Sequence, residues 1–224
     1  MESFEKNLTT FDDHPLVAHK ITKLRDLNTG SKEFAEIITE LTIIMGYEAL
    51  KDLKTEDVEI DAPLITMKSP LLAETITIVP ILRAGLGMVD GLRTLLPTAC
   101  VGHVGLYRDQ QTLQPVKYYF KMPENMEQYP AVIVDPALAT GGSIDATIGF
   151  LKEAGYTRIK VMSIFASDVG VKLLYEHHPD VHIYAAKYIP EGLNKDGFII
   201  KAAGDIGDRI NGTYGYKGAR QAKK

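Results

Sequence analysis

The longest run of apolar residues at helical spacing lies between residues 33 and 50. Its apolar side chains repeat every three or four residues, so that they share one face of a helix. Ser31 stands just before this segment and is suited to cap its first turn. The pattern predicts one amphipathic helix whose buried face consists of Phe34, Ile37, Ile38, Leu41, Ile44 and Met45.

Short runs rich in β-branched residues follow along the chain, and several of them are apolar on both faces. They occupy residues 75–81, 99–107, 131–135, 159–166 and 181–186. Helical patterns at residues 86–96, 143–154 and 168–178 alternate with them. The sequence therefore predicts an α/β fold with a mostly parallel central sheet flanked by helices. Because nothing marks a second large domain, we expect residues 1–224 to form a single domain.

The segment RDQQTLQPVKYYFKMPE, residues 108–124, departs from this alternation. It is polar at first and then strongly β-prone, which predicts a β-hairpin arm that projects from the sheet. The arm would expose a strip of apolar side chains at Val116, Tyr118, Tyr119 and Phe120. An exposed strip of this kind favours a homodimer or a higher homo-oligomer.

Composition excludes several classes of protein. Hydrophobic residues make up 45% of the 224 and charged residues 24%, as in an ordinary globular protein. The most apolar stretch is interrupted by Arg83, which argues against a membrane span, and no apolar export segment stands at the start, so we expect a cytoplasmic location. A net charge of −4 argues against nonspecific nucleic-acid binding. The single cysteine and the spacing of the six histidines predict no metal site built by the protein.

One loop carries the clearest chemical signal. In AVIVDPALATGGSIDATIG an apolar strand ends at Asp135, and residues 140–143, TGGS, open a helix. The unpaired amides of a helix N-terminus attract anions, and glycines let a phosphate approach the backbone. Asp135 would stand beside that phosphate at the carboxyl end of its strand, where ribose hydroxyls could meet it. The same residues also suit a tight turn in which Ser143 only caps the helix.

The form DPALATGGS resembles the phosphoribosyl-diphosphate loop of the type I phosphoribosyltransferases, and in particular that of the uracil phosphoribosyltransferase family. Further segments are similar to that family's blocks and stand in the same order, from about His14 to Thr213. They read HPLVAHK, VPILRAGLGMVDGL, GLYRDQQTLQPVKYY, GLNKDGFII and GDIGDRINGT. The resemblance implies a sheet of the type I phosphoribosyltransferase kind with a small hood over the base.

The resemblance also implies which residues bind substrate. Those expected at phosphoribosyl diphosphate are Arg83, Arg108, Asp135, Pro136, Ala137, Leu138, Ala139, Thr140, Gly141, Gly142, Ser143 and Asp205. Those expected at uracil, largely through main-chain groups, are Ile199, Gly204, Asp205 and Ile206. Asp135, Asp205 and Arg83 would take part in catalysis. Surface ion pairs remain an alternative role for the two arginines, and we expect Asp208 to pair with Arg209.

The implied reaction moves 5-phosphoribosyl from its diphosphate to uracil and gives UMP and diphosphate, as in pyrimidine salvage. Mg²⁺ is implied as cofactor. Since Pro136 follows Asp135 where many relatives carry a second acid, the metal would be held mainly through the donor's oxygens. The glycines Gly85, Gly87 and Gly91 also suggest a dinucleotide site, but their spacing is one residue longer than that fingerprint.

The chain departs from the family pattern around the base. Lys201 and Ala202 stand where Pro-Gly is usual, Ile206 replaces a small alanine and Asn211 a phenylalanine. The usual aspartate before Leu193-Asn194 is missing from a stretch with an apparent one-residue insertion. Two alternatives therefore stay open. One is a phosphoribosyltransferase for a related base, and the other is a nucleotide-sensing regulatory protein with little or no activity.

Overall fold

The computed structural model describes residues 5–108 and 115–213. The strands are β1 (Leu8–Thr10), β2 (Thr55–Asp61), β3 (Thr66–Leu72), β4 (Thr77–Leu82), β5 (Cys100–Val101), β6 (His103–Arg108), β7 (Pro115–Lys121), β8 (Ala131–Val134), β9 (Ala137–Leu138), β10 (Ile159–Ser167) and β11 (His182–Ile189). The helices are α1 (Pro15–Arg25), α2 (Ser31–Ala49), α3 (Leu86–Leu95), α4 (Gly142–Glu153), α5 (Asp168–His177) and α6 (Ile206–Asn211).

A mostly parallel sheet forms the centre of the fold, as the sequence predicts. Its strands lie in the order β1-β11-β10-β8-β4-β6-β7, with β5 beside β4 and β9 beside β10. All neighbours run parallel except β6 and β7, which are antiparallel. The chain reverses its order along the sheet between β4 and β8, and clefts at such switch points hold ligands in open α/β folds.

Apolar side chains cover both faces of this sheet, which explains why its strands read as apolar on both sides. One cluster joins the sheet to α1, α2 and α3 and includes the fully buried Phe34, Leu41 and Met88. The other joins it to α4 and α5 through Ile148 and Leu174. Among the described residues, no helix is long and apolar enough to cross a membrane.

The long amphipathic helix differs from its prediction at its start and at Ile44, which is only partly buried. Phe34, Leu41 and Met45 are buried as expected. Ser31 is the first helical residue, however, and Gly30 occupies the cap position without any side-chain hydrogen bond. The prediction of Ser31 as the cap was therefore wrong by one residue, because Gly30 reaches the extended cap conformation at φ −69° and ψ 162°.

The predicted hairpin forms, but on the edge of the main sheet. Strand β7 pairs with β6 along the edge, and Phe120 packs edge-on against Phe150 of α4 at 6.1 Å between ring centroids. Tyr118 and Tyr119 remain exposed. The polar part of the predicted arm, residues 109–114, lies outside the described residues.

A second hairpin, which the sequence analysis missed, forms a separate two-stranded sheet from β2 and β3. Its exposed apolar side chains are Leu64, Ile65, Met67, Leu71 and Leu72. At its base, Glu74 accepts two hydrogen bonds from Arg158 and one from the Lys54 amide. These hydrogen bonds lower the pKa of Glu74 to about 2, so the hairpin is tied to the core by an ionised carboxylate.

Candidate active site

Two residues predicted to meet the donor follow adjacent parallel strands. Arg83 comes directly after β4, and Asp135 directly after β8. Since neighbouring parallel strands end at the same edge of a sheet, the two residues are brought together although 52 positions separate them. The fold therefore places a cation and a carboxyl group at the switch point.

A cavity of about 380 Å³ opens at this edge. Its walls come from three parts of the chain: the end of β4, the stretch after β8, and the segment from 197 to 207. The lining residues are Leu82, Arg83, Ala84, Ala137, Ala139, Gly197, Phe198, Gly204, Asp205, Ile206 and Gly207. Six of these eleven were predicted as site residues, and the cavity therefore unites the predicted donor and base segments.

The helix that follows β8 and β9 offers its N-terminus to an anion. Gly141 occupies the cap of α4 in the left-handed conformation, at φ +89°, and no side chain caps the helix. A Cβ on Gly142, the first helical residue, would meet no atom within 4 Å. The amides of this first turn are thus open to a bound phosphate. We name residues 139–143 the phosphate loop.

Asp135 is partly buried beside this loop. One of its oxygens accepts a hydrogen bond from the Ala137 amide at 3.3 Å, which favours the ionised form. The loss of hydration on burial acts in the other direction and dominates, raising the pKa of Asp135 from 3.8 to about 7. A carboxyl group with such a pKa can change its protonation state when a ligand binds near neutral pH.

Arg83 leaves β4 through a cis peptide bond with Leu82. Its side chain is 60% exposed and lies 3.4 Å from the Asp208 carboxylate. Two residues later, Gly85 packs so tightly that a Cβ would lie 2.3 Å from the Val134 carbonyl oxygen. This contact explains one glycine of the apparent dinucleotide motif, because it permits α3 to start close against β8.

The GDIGD segment, residues 204–208, leads into a helix. Asp205 caps the short helix α6 by accepting a hydrogen bond from the Asp208 amide at 2.9 Å. The predicted pair between Asp208 and Arg209 was wrong, because Asp208 contacts Arg83 and accepts a hydrogen bond from Thr213. Asp205 therefore reaches the cavity from the start of a helix.

Arg209 has a structural position instead. It is buried, stacks on Phe34 at 4.2 Å from the ring centroid, and donates hydrogen bonds to main-chain carbonyls. Those carbonyls belong to Leu24, Asp26, Thr29 and Ala203. Arg209 thus joins the turn between α1 and α2 to the residue that precedes Gly204.

Residues 192–204, which we name the hood, form the remaining wall. Asn194 shapes it by accepting hydrogen bonds on its side-chain oxygen from the amides of Asp196 and Phe198. Gly197 adopts φ +83°, and Phe198 is 42% exposed at the cavity. Sequence reasoning missed Phe198, although an aromatic residue after a glycine in a base-binding block is a usable signal.

Some predicted residues, among them Asp135 and residues 140–143, are not part of the cavity lining. The side chains of Pro136 and Leu138 are buried, so only their main-chain groups could meet a ligand. The Ile199 side chain is likewise buried and packs in the hydrophobic core. Arg108 ends β6, and its side chain lies outside the described part. No group of three acidic, histidine or cysteine side chains that could hold a metal occurs in residues 5–108 and 115–213.

Comparison with known proteins agrees with this geometry. The family model described as uracil phosphoribosyltransferase matches residues 11–213. The uracil phosphoribosyltransferase of Brevibacillus brevis is 50% identical over 202 residues, which cover 90% of this chain and 96% of that protein. That of Finegoldia magna is also 50% identical, over 205 residues that cover 91% of this chain and 98% of that protein.

Solved structures resemble the fold as well. The AQ2163 protein of Aquifex aeolicus superposes with a TM-score of 0.87 at 33% identity, over 93% of this chain and all of that one. Adenine phosphoribosyltransferase of Trypanosoma brucei, solved with AMP, pyrophosphate and ribose-5-phosphate, shares the fold at a TM-score of 0.56 and 13% identity, covering 81% of this chain and 84% of that one. The chain belongs to the uracil phosphoribosyltransferase family.

Proposed function

We propose that this protein transfers the 5-phosphoribosyl group of phosphoribosyl diphosphate to N1 of uracil, giving UMP and diphosphate. The observation that carries the proposal is the shared cavity, in which the residue after β4, the stretch leading into the phosphate loop and the hood line one space. A bond forms between N1 and C1′ of the ribose while the bond from C1′ to the diphosphate oxygen breaks. The N1 proton is lost in the same reaction.

The donor half of the site is proposed to act through charge and hydrogen bonding. The open amides of Gly141, Gly142 and Ser143 bind the 5′-phosphate. Asp135 accepts hydrogen bonds from the ribose hydroxyls, and Arg83 stabilises the negative charge that develops on the departing diphosphate. Because the Arg83 side chain is largely exposed, its guanidinium group can move from Asp208 to the donor. We keep Arg108 as a second diphosphate contact on the family resemblance alone.

The base half is proposed to read uracil through the backbone. Uracil offers alternating acceptor and donor groups on one edge, and main-chain amides and carbonyls at Ile199, Gly204 and Ile206 can match them. Asp205 faces the same cavity and is proposed to accept a hydrogen bond from the base or the ribose. Phe198 supplies an apolar surface on which a flat base can stack.

Mg²⁺ is proposed to enter with the donor. Pro136 stands after Asp135 in place of a second acidic residue, and a proline side chain offers no metal ligand. This fits a cation held by diphosphate oxygens and water, since Mg²⁺ commonly retains several waters. When bound, it neutralises part of the diphosphate charge and so helps this group to leave.

Release of diphosphate that depends on uracil tests the assignment. With donor and Mg²⁺ present, diphosphate should appear only after uracil is added. A competition among uracil, modified uracils, cytosine and purines should show a preference for uracil. A preference for another base would refute the substrate while leaving the phosphoribosyl chemistry intact. Turnover of no base at all would favour a regulatory protein that senses the donor or a nucleotide.

We also propose a homodimer or a higher homo-oligomer. Apolar side chains project from the β2–β3 hairpin at Leu64 and Ile65, and aromatic ones from β7 at Tyr118 and Tyr119. Exposed apolar groups favour association between copies. Light scattering at micromolar concentration should therefore give a multiple of the chain mass, and a monomer mass would contradict this proposal.

A further inference from the structure

The end of strand β10 lies directly beneath the phosphate loop. Ser167 is the last residue of β10 and the cap of α5, and its side chain is completely buried. Its hydroxyl donates a hydrogen bond to the Ala139 carbonyl oxygen at 2.6 Å. The Ser167 hydroxyl oxygen in turn accepts a hydrogen bond from the Gly170 amide at 3.0 Å. A serine hydroxyl has one proton to donate, so these two contacts fix the direction of both.

Close packing adds to this connection. A Cβ on Gly170 would lie 2.7 Å from the Ala139 carbonyl oxygen. A Cβ on Gly141 would lie 3.3 Å from the Gly170 Cα atom. The first turn of α5 is therefore in contact with the phosphate loop at both Ala139 and Gly141, and Ser167 provides a directed hydrogen bond within that contact.

We propose that Ser167 is a positioning residue for the donor's 5′-phosphate: its buried hydroxyl holds the Ala139 carbonyl, and thereby the amides that follow it, in the orientation that binds phosphate. This inference rests on the proposed function. Removal of the hydroxyl leaves two main-chain groups, the Ala139 carbonyl and the Gly170 amide, without their partner. A buried main-chain group without a hydrogen-bond partner is unfavourable, so we expect the phosphate loop to shift until both groups find new partners.

The same strand offers a matched control. Ser163 is also completely buried in β10, and within the described part of the chain its hydroxyl has no hydrogen-bond partner. Ser163→Ala and Ser167→Ala therefore remove the same atom from equally buried positions on one strand. The difference between the two variants reports the hydrogen bonds of Ser167 and not the loss of a buried oxygen.

Calorimetry with three probes tests the inference. Ribose 5-phosphate and phosphoribosyl diphosphate both carry the 5′-phosphate, whereas inorganic diphosphate does not. Ser167→Ala should weaken the first two by about 3- to 10-fold. The affinity for inorganic diphosphate and the KM for uracil should stay at the wild-type values. Ser163→Ala should change none of these quantities.

A second variant guards against an unfolding effect. Ser167→Cys keeps the shape of the side chain with a weaker donor, so its affinity for ribose 5-phosphate should fall between wild type and Ser167→Ala. Equal affinities in wild type and Ser167→Ala would overturn the inference. So would equal losses for all three probes, which is the result of a merely structural role. If wild type binds neither ribose 5-phosphate nor phosphoribosyl diphosphate, the proposed function itself fails, and this inference with it.

Discussion

The desolvated carboxyl group of Asp135 should make the stability of the protein depend on pH. In the unfolded chain its pKa is near 3.8, and in the folded chain it is about 7. The folded state therefore binds this proton more tightly, so the contribution of Asp135 to stability is complete below pH 4. It is lost as the pH rises through 7. At 1.36 kcal/mol for each pKa unit, the total loss is about 4 kcal/mol.

Replacement of Asp135 by asparagine removes this titration and keeps an oxygen that can accept from the Ala137 amide. The free energy of unfolding of Asp135→Asn, relative to wild type, should therefore rise between pH 4 and 7 and level off above pH 7. At pH 8 the variant should be more stable by up to about 4 kcal/mol, because it buries no charge. Urea-unfolding curves of both proteins, recorded at one protein concentration and several pH values, measure the difference.

The same variant should bind the donor less well. Ribose hydroxyls donate to an ionised carboxylate more strongly than to an amide oxygen, so donor binding favours the ionised form of Asp135. Wild type should then release a proton when phosphoribosyl diphosphate binds below pH 7, and Asp135→Asn should not. Calorimetry in two buffers with different ionisation enthalpies detects this proton. Parallel pH profiles of unfolding in the two proteins would refute the reasoning.

Three further predictions concern the site and its surroundings. Gly142→Val should fold normally, because its Cβ meets open space, but calorimetry should show a lower affinity for ribose 5-phosphate. Gly141→Ala should also lower the unfolding temperature, because Gly141 adopts φ +89°. Arg83→Ala should lower kcat/KM by about 10- to 100-fold through the loss of a charge-assisted contact, and full activity would place the diphosphate elsewhere. Lys201 adopts φ +65°, so Lys201→Gly should raise stability by about 1 kcal/mol in urea unfolding. The family's usual proline at this position should lower it, with Lys201→Ala as the control for the lost side chain.

The central sheet and the turn into α4 were predictable because their signals are local. A strand that is buried on both faces of the sheet consists of a continuous apolar run, as residues 131–134 do. The glycine-rich loop that follows marks the turn after this strand. The β2–β3 hairpin left no such signal. Strand β2 is mostly acidic, Pro70 lies within β3, and most residues of both strands are exposed, so no pattern of burial distinguishes the hairpin.

The site was predictable only in part, for a related reason. The residues that line the cavity lie up to 125 positions apart, and no spacing in the sequence shows that Arg83 meets Asp208. The family resemblance provided these connections where periodicity could not. Helix α6 was missed because Gly204 and Gly207 lie close together at its start, and the low helix propensity of glycine concealed the capping role of Asp205.

Two of the departures from the family pattern contact each other in space. Glu191, within the stretch that carries the apparent insertion, forms an ion pair with Lys201, which replaces the usual proline. The backbone around them is held independently of those side chains, because Arg25 donates to the Lys201 carbonyl at 2.7 Å and Arg209 donates to the Ala203 carbonyl at 3.1 Å. Every residue has a carbonyl, so such anchors survive substitution at the positions they hold. A hood fixed through its main chain can change its side chains and still present the same amides and carbonyls to a base, which is the property that the proposed backbone recognition of uracil requires.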